Sequence, residues 1–164
     1  MPRLWQSKTA DVVIALCAGG LRRYLMEFGD LPEKPLVAMV PVNIRPKDDP
    51  GGGNAVGTIL VSMATHLEDP AERLRAIIAS SRAAKAQLEG MSTSAIMQYS
   101  SLLMAPFGAQ AALAYMGVRA PIPLAFNLII SNVRGSNEPQ YLDGARVEAV
   151  YPVSIPTHGT ALNI

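Results

Sequence analysis

Charge is what this sequence has least of. Asp, Glu, Lys and Arg make up 16% of its 164 residues, while hydrophobic residues make up 49%. A soluble domain usually carries about a quarter charged residues. The formal net charge is +1, so no long-range field draws the chain to nucleic acid or to an anionic membrane. The same balance excludes a disordered chain, because apolar content is too high and charge too low. The single cysteine, Cys17, cannot form an internal disulfide and fits a reducing compartment. Met1 to Thr9 carries Arg3 and Lys8 but no apolar stretch and no small-residue cleavage site, so no secretory signal is read there.

The motifs of common chemistries are missing too. There is no G-x-S-x-G nucleophile elbow and no H-E-x-x-H zinc helix. One cysteine and two distant histidines, His66 and His158, supply no zinc site. Gly51, Gly52, Gly53 and Gly57 precede a strand, not a helix N-terminus, so they read as a flexible connection and not as a phosphate cradle. His66 reads as a surface-loop residue. His158 lies in a Pro/Gly/Thr loop that could face a cleft, with a solvated loop position as the alternative. Cys17 reads as a core residue on an apolar helix face.

What is present is enough for one domain with a real core. Asp11 to Phe28 is predicted as an amphipathic helix. Val13, Cys17, Leu21, Leu25 and Phe28 line its inner face, with Val12 and Leu16 alongside and Arg22, Arg23 and Glu27 opposite. Thr9 is the expected N-cap, Asp11 suits the positive helix end, and Gly29 is the expected stop. Gly19 and Gly20 each cost about 1 kcal/mol in a helix interior, which suggests a backbone passing close by.

Leu36 to Ile44 and Ala55 to Met63 read as strands, joined by a polar loop from Arg45 to Gly53. Pro41 lacks an N–H and is expected at an edge or bulge. Asp69, Pro70 and Glu72 mark a helix start. Leu74, Ile77, Ile78, Ser81 and Leu88 then face in, and Arg73, Arg75, Arg82 and Lys85 face out, with Gly90 as the stop. Ser94 to Tyr115 is predicted helical and broken or kinked at Pro106. Phe126 to Ser131, Ala145 to Val153 and Ala161 to Ile164 are predicted strands, the second entered through Asp143 and Gly144. The mixed order points to an α/β two-layer sandwich with a mixed sheet. The last strand stops inside an apolar run, which suggests a chain truncated at both ends, with a short edge strand as the alternative.

Between Glu89 and Arg134 the only charge is Arg119. Ser92, Ser94, Gln98, Ser100, Ser101 and Gln110, with four Pro or Gly positions, argue against a spanning helix. Met91, Met97, Met104 and Met116, with Leu102, Leu103 and Phe107, offer a soft apolar surface for lipid. Core packing is the competing explanation.

Several segments together resemble the bacterial wax ester synthase/diacylglycerol acyltransferase (WS/DGAT) family. They are Asp11 to Leu25, Pro35 to Arg45, Glu68 to Ile77, Ser131 to Gly135, Tyr151 to Ser154 and Gly159 to Ile164, in family order. The resemblance implies half of a chloramphenicol acetyltransferase-like fold, 1–164 being a carboxy-terminal acyltransferase domain. It implies O-acyl transfer from acyl-CoA to diacylglycerol or a long-chain alcohol in triacylglycerol or wax ester synthesis. No cofactor beyond the acyl-CoA substrate, no metal and no nucleic acid are implied. The family's HHxxxDG motif is not in this sequence. The general base is therefore expected in an amino-terminal half, and no catalytic residue is assigned here. The chain by itself is expected to be inactive.

Asp11, Asn132, Gly135, His158 and Asn163 become substrate-tunnel candidates by the resemblance. Helix-terminus and turn roles are the alternatives for Asp11 and Asn132. Two departures bear on them: Ala10 stands where the family has Asn, and Arg134 where it often has Pro. A cytoplasmic location, peripheral on membranes or lipid droplets, follows from the same reading. A non-catalytic lipid- or partner-binding module of the same fold is the other reading.

Overall fold

A computed structural model describes residues 9–44, 56–118, 122, 124–132, 136, 138–151, 153, 160 and 162–164. The chain runs as α1 (Thr9–Glu27), β1 (Val37–Asn43), β2 (Val56–Ser62), α2 (Pro70–Ala86), α3 (Thr93–Tyr115), β3 (Leu128–Ile129), β4 (Tyr141–Leu142), β5 (Ala145–Arg146) and β6 (Leu162–Asn163). One sheet has the order β2-β1-β3-β6; β4 and β5 form a separate hairpin. β1 pairs antiparallel with β2 and parallel with β3, and β3 pairs parallel with β6. This is the expected mixed sheet with helices packed on it. The expected polar loop between β1 and β2 lies outside the described residues.

Side-chain alternation decides what the sheet buries. Ala38 and Val40 of β1, Ile59 and Val61 of β2, and Leu128 and Ile130 share one cluster with Ile14, Ala18, Met63 and Ile77. The inner stripe of α1 is thus centred on Ile14 and Ala18, one position round from the stripe expected. Val13, Cys17 and Leu21 flank it, half-buried. Val12, Leu16 and Phe28 are exposed, Leu16 by 71%. An alanine at the centre lets the helix sit close to the sheet, and alanine does not stand out in an apolar pattern.

α1 ends as expected. The Asp30 N–H reaches the Leu25 carbonyl at 2.9 Å and the Gly29 N–H reaches that of Met26 at 3.2 Å, with Gly29 at φ +73°. That reciprocal pattern requires a left-handed residue, which glycine adopts without Cβ strain. Gly19 is tight because a Cβ there would lie 3.3 Å from the Arg73 guanidinium, while Gly20 has open space. The close neighbour is a side chain from α2, not a passing backbone.

Pro41 lies within an interior strand and marks the end of its pairing with β3. The carbonyls of Val37 and Met39 accept from Asn127 and Ile130 on the β3 side, so Pro41's nitrogen faces that side too. β3 pairs only as far as Met39, because the proline has no N–H with which to carry the ladder further.

The free edge of β2 is sealed by helices. The Thr58 N–H donates to Ser100 Oγ of α3 at 3.0 Å, and the Ser62 N–H to Ser80 Oγ of α2 at 2.9 Å. Unpaired strand donors of this kind otherwise template edge-to-edge association.

α2 begins as the sequence requires. Asp69 accepts from the backbone N–H groups of Ala71 at 2.7 Å and Glu72 at 2.8 Å. The Glu72 bond leads in holding its carboxyl below the ordinary value, with Ala71, Arg75 and Arg73 adding to it against some desolvation. The helix ends at Ala86, a few residues before Gly90.

Two arginines depart from the outward positions expected. Arg73 is 7% exposed and donates to the carbonyls of Leu67 at 2.8 Å and Glu68 at 3.3 Å. Arg22 of α1 donates to those of Thr65 at 2.8 Å and His66 at 3.3 Å. Four successive carbonyls after β2 are thus held by guanidinium groups from two helices. The Thr65 hydroxyl meanwhile accepts the Leu36 N–H at 3.0 Å.

α3 runs unbroken through Pro106. The later strands are shorter than expected: β3 keeps two residues of the Phe126 to Ser131 run, and β5 keeps two of Ala145 to Val153. Asp143 and Gly144 make the hairpin turn, both at positive φ, which suits its twist. No helix among the described residues is long and apolar enough to cross a membrane.

The Arg73→Ala variant should lose about 2–3 kcal/mol in a urea titration, because two part-buried, charge-assisted hydrogen bonds to carbonyls are lost. Arg75→Ala, on the exposed side, should stay within about 0.5 kcal/mol.

Candidate functional site

An apolar cleft of about 580 Å³ opens beside the last turns of α1. Leu21, Tyr24 and Leu25 form one wall; Leu36, Asn127, Leu128 and Leu162 form the other. The amphipathic period of α1 places its three residues on one side. Parallel pairing brings Leu128 and Leu162 side by side. The volume lies in the range of small-molecule sites.

Asn127 is the one amide side chain in this lining, and it is already engaged. Its Oδ1 accepts the Val37 N–H at 2.8 Å, while its own N–H donates to the Val37 carbonyl at 2.8 Å. It therefore continues the β1–β3 pairing one step past the strand. With that amide oxygen bound, the wall presents mainly hydrocarbon, which suits an alkyl chain better than a polar head. Sequence reading missed Asn127; its only signal was an amide residue directly before an apolar strand.

The five tunnel candidates fall elsewhere. Asp11 is 4% exposed in the first turn of α1, where the positive helix end favours a carboxylate. Asn163 pairs with Ile129, half-buried on β6. Asn132 is exposed just beyond β3. The Ser131 N–H donates to the Ile164 carbonyl at 2.7 Å, so Asn132 and Asn163 share the carboxyl ends of neighbouring parallel strands. Strand ends of that kind commonly shape ligand sites. Gly135 and His158 lie outside the described residues. None of the described three lines the apolar cleft.

A second groove, about 570 Å³, separates α1 from α2 and includes Leu16, Gly20, Arg23 and Leu74. Among the described residues, no group of His, Cys, Asp or Glu could hold a metal ion. His66 is exposed after β2, as a surface-loop residue should be. Cys17 packs half-buried against the core. Burial pushes its thiol up, partly opposed by a backbone hydrogen bond.

α3 is less buried than a core helix. Only Ile96 and Ser100 are fully enclosed. Phe107 stacks near Phe126 at 5.9 Å between ring centres. Met97, Leu102, Tyr115 and Met116 are exposed, Leu102 by 74%. Core packing therefore does not account for most of its apolar residues.

Residues 52–164 match the WS/DGAT C-terminal domain. The chain belongs to the WS/DGAT family. It is 54% identical over 94% of its length to a Mycobacterium tuberculosis protein named as a diacyglycerol O-acyltransferase, of which it covers 31%. It is 45% identical over 94% of its length to the O-acyltransferase WSD of Acinetobacter baylyi, covering 32% of that protein. The solved wax ester synthase/diacylglycerol acyltransferase of Marinobacter aquaeolei VT8 superposes on 96% of the chain with a TM-score of 0.72 and 38% identity. The chain covers 34% of that structure. It thus spans about a third of the length of the curated relatives it matches.

Reaction of Cys17 with a disulfide reagent should be slow at pH 8 and still be rising with pH at 9, because burial raises the thiol's pKa. A raised thiol pKa keeps the reactive thiolate scarce below that point. A rate already at its plateau by pH 8 would contradict the burial described.

Proposed function

We propose that this chain forms the carboxy-terminal part of an O-acyltransferase acting on acyl-CoA and on diacylglycerol or a long-chain alcohol. The observation that carries the reading is the apolar cleft between α1 and β6, in a chain that matches acyltransferases over almost its full length. Its Leu21, Leu25, Leu128 and Leu162 offer a wall for acyl or alkyl chains. Asp11, Asn132, Gly135, His158 and Asn163 are proposed to shape the tunnel beyond that wall.

The catalytic histidine belongs, on this reading, to an amino-terminal half. It takes the proton from the acceptor hydroxyl as the oxygen attacks the thioester carbonyl. The carbon–sulfur bond then breaks, and the CoA thiolate leaves and is protonated. No cofactor beyond acyl-CoA enters this scheme. The chain described here positions substrate, excludes water and supplies no base.

A second reading, a lipid-binding module of the same fold, draws on α3. Its exposed Met97, Leu102 and Met116 carry no charged neighbour within Thr93–Tyr115. Exposed apolar side chains of this kind suit contact with a lipid or partner surface.

The purified chain, given a long-chain acyl-CoA and a diacylglycerol, should release no free CoA thiol above background. Co-expressed with the amino-terminal portion of the 54% identical relative, it should restore release coupled to triacylglycerol formation. Transfer by the chain alone overturns the division of labour. In vesicle flotation, a Leu102→Glu variant should bind less than the parent chain if α3 meets lipid; equal binding removes α3 from that role.

A further inference from the structure

Arginine stays protonated whatever surrounds it, so a buried one calls for a counter-charge. Arg73 is more than nine-tenths enclosed, at 7% exposure. Its Nη1 is held by the Leu67 and Glu68 carbonyls, while its buried Nε has no hydrogen-bond partner. Carbonyl dipoles orient a guanidinium without cancelling its charge. Among the described residues no carboxylate forms an ion pair with it; the ion pair they contain joins Arg146 to Glu148 on the hairpin. Burying a charge without such a partner is costly.

Arg73 lines the groove between α1 and α2 together with Arg22 and Arg23, against the one carboxylate of Glu68. Arg22 is engaged through Nη1 with the Thr65 and His66 carbonyls, and Arg23 is exposed. The nearby Asp69 is spent on the N–H groups of Ala71 and Glu72, so the end of α2 is already capped and offers nothing to a ligand. The groove also presents backbone. Gly19 faces the Arg73 guanidinium, where a Cβ would stand 3.3 Å from Nη2. Nothing lies within 4 Å of the place a Cβ would take at Gly20, so no packing inside the chain accounts for a residue that weakens the helix. Glycine at such places lets a ligand approach the main chain closely. The rim is hydrocarbon, with Val12 41% and Leu16 71% exposed beside Leu74.

We infer that the α1–α2 groove binds a phosphate group through Arg73 and Arg23, with Arg22 beside them. Guanidinium groups meet phosphate in planar two-point contacts, and the phosphate supplies the counter-charge that the buried arginine lacks. Three arginines against Glu68 leave two positive charges in excess. A phosphate monoester, with close to two negative charges at neutral pH, matches that excess better than a carboxylate does. The hydrocarbon rim suits a phosphate carried by a lipid. The groove is separate from the apolar cleft, whose Leu21, Tyr24 and Leu25 do not line it, and the inference stands apart from the acyltransferase reading.

The test titrates dioctanoyl phosphatidate, dioctanoylglycerol and inorganic phosphate into the whole chain by calorimetry at low salt. Phosphatidate should bind about tenfold tighter or more than dioctanoylglycerol, which has the same tails and no phosphate. Added salt should weaken its binding. Tighter binding of phosphatidate than of inorganic phosphate assigns the group to a lipid; equal affinities assign it to free phosphate. Arg23→Glu should weaken binding of either phosphate probe by about tenfold or more. Gly20→Leu fills the groove and should weaken it as much, while melting no lower than the parent, because leucine favours a helix over glycine. Arg146→Glu, on a hairpin that touches no other helix or strand, changes the net charge equally and should bind like the parent.

Phosphatidate that binds no tighter than dioctanoylglycerol overturns the site. So do Arg23→Glu and Gly20→Leu variants that bind like the parent. Equal losses in Arg23→Glu and Arg146→Glu overturn it as well, since overall charge would then account for the binding. Each of these results leaves the acyltransferase reading standing, because acyl transfer is followed separately by thiol release.

Discussion

Two guanidinium groups hold the corner on which the helical layer rests. Arg22 and Arg73 come from different helices and bind the four carbonyls from Thr65 to Glu68. Backbone oxygens at a tight corner have no ladder to join, and leaving them buried without donors is costly. A planar, always charged side chain with several donors answers that need better than lysine could. The same groups fix where α1 lies against α2, through the tight approach of Arg73 to Gly19. The position of α1 in turn sets one wall of the apolar cleft.

The beginning of the fold was legible because local chemistry and global packing agree there. Asp69 caps α2, Gly29 closes α1, and β1 and β2 are continuous apolar runs of the kind that buried strands show. The arginines were misplaced for a physical reason. Pattern reading assigns a cation to solvent unless a carboxylate lies nearby, and here the acceptors are main-chain oxygens invisible to it. Ile14 and Ala18 were missed as the centre of α1 because small residues decide close packing without standing out. The late strands were overestimated because β propensity describes what a segment can do in a sheet, and a sheet needs a neighbour. The candidates that the resemblance supplied, Asp11, Asn132 and Asn163 among the described residues, lie away from the cleft, while the cleft-lining Asn127 lay between motifs.

The apolar surplus of the sequence now divides into three destinations. Part fills the core around Ile59, Val61 and Ile77. Part lines the cleft between α1 and β6. The rest stands in water on α3 and on the β4–β5 arm. A composition poor in charge is what such a division requires, since surfaces that meet another body resemble interiors more than they resemble ordinary exteriors.

The serines that close β2 give the molecule a handedness of growth. With Thr58 and Ser62 already spoken for, two copies cannot zip together symmetrically along that border. Among the described residues, the other margin of the main sheet is β6, at Leu162 and Asn163. In a crowded cell the β2 border, with two of its donors withdrawn into serine hydroxyls, is a poorer template for stacking copies edge to edge than a bare strand would be.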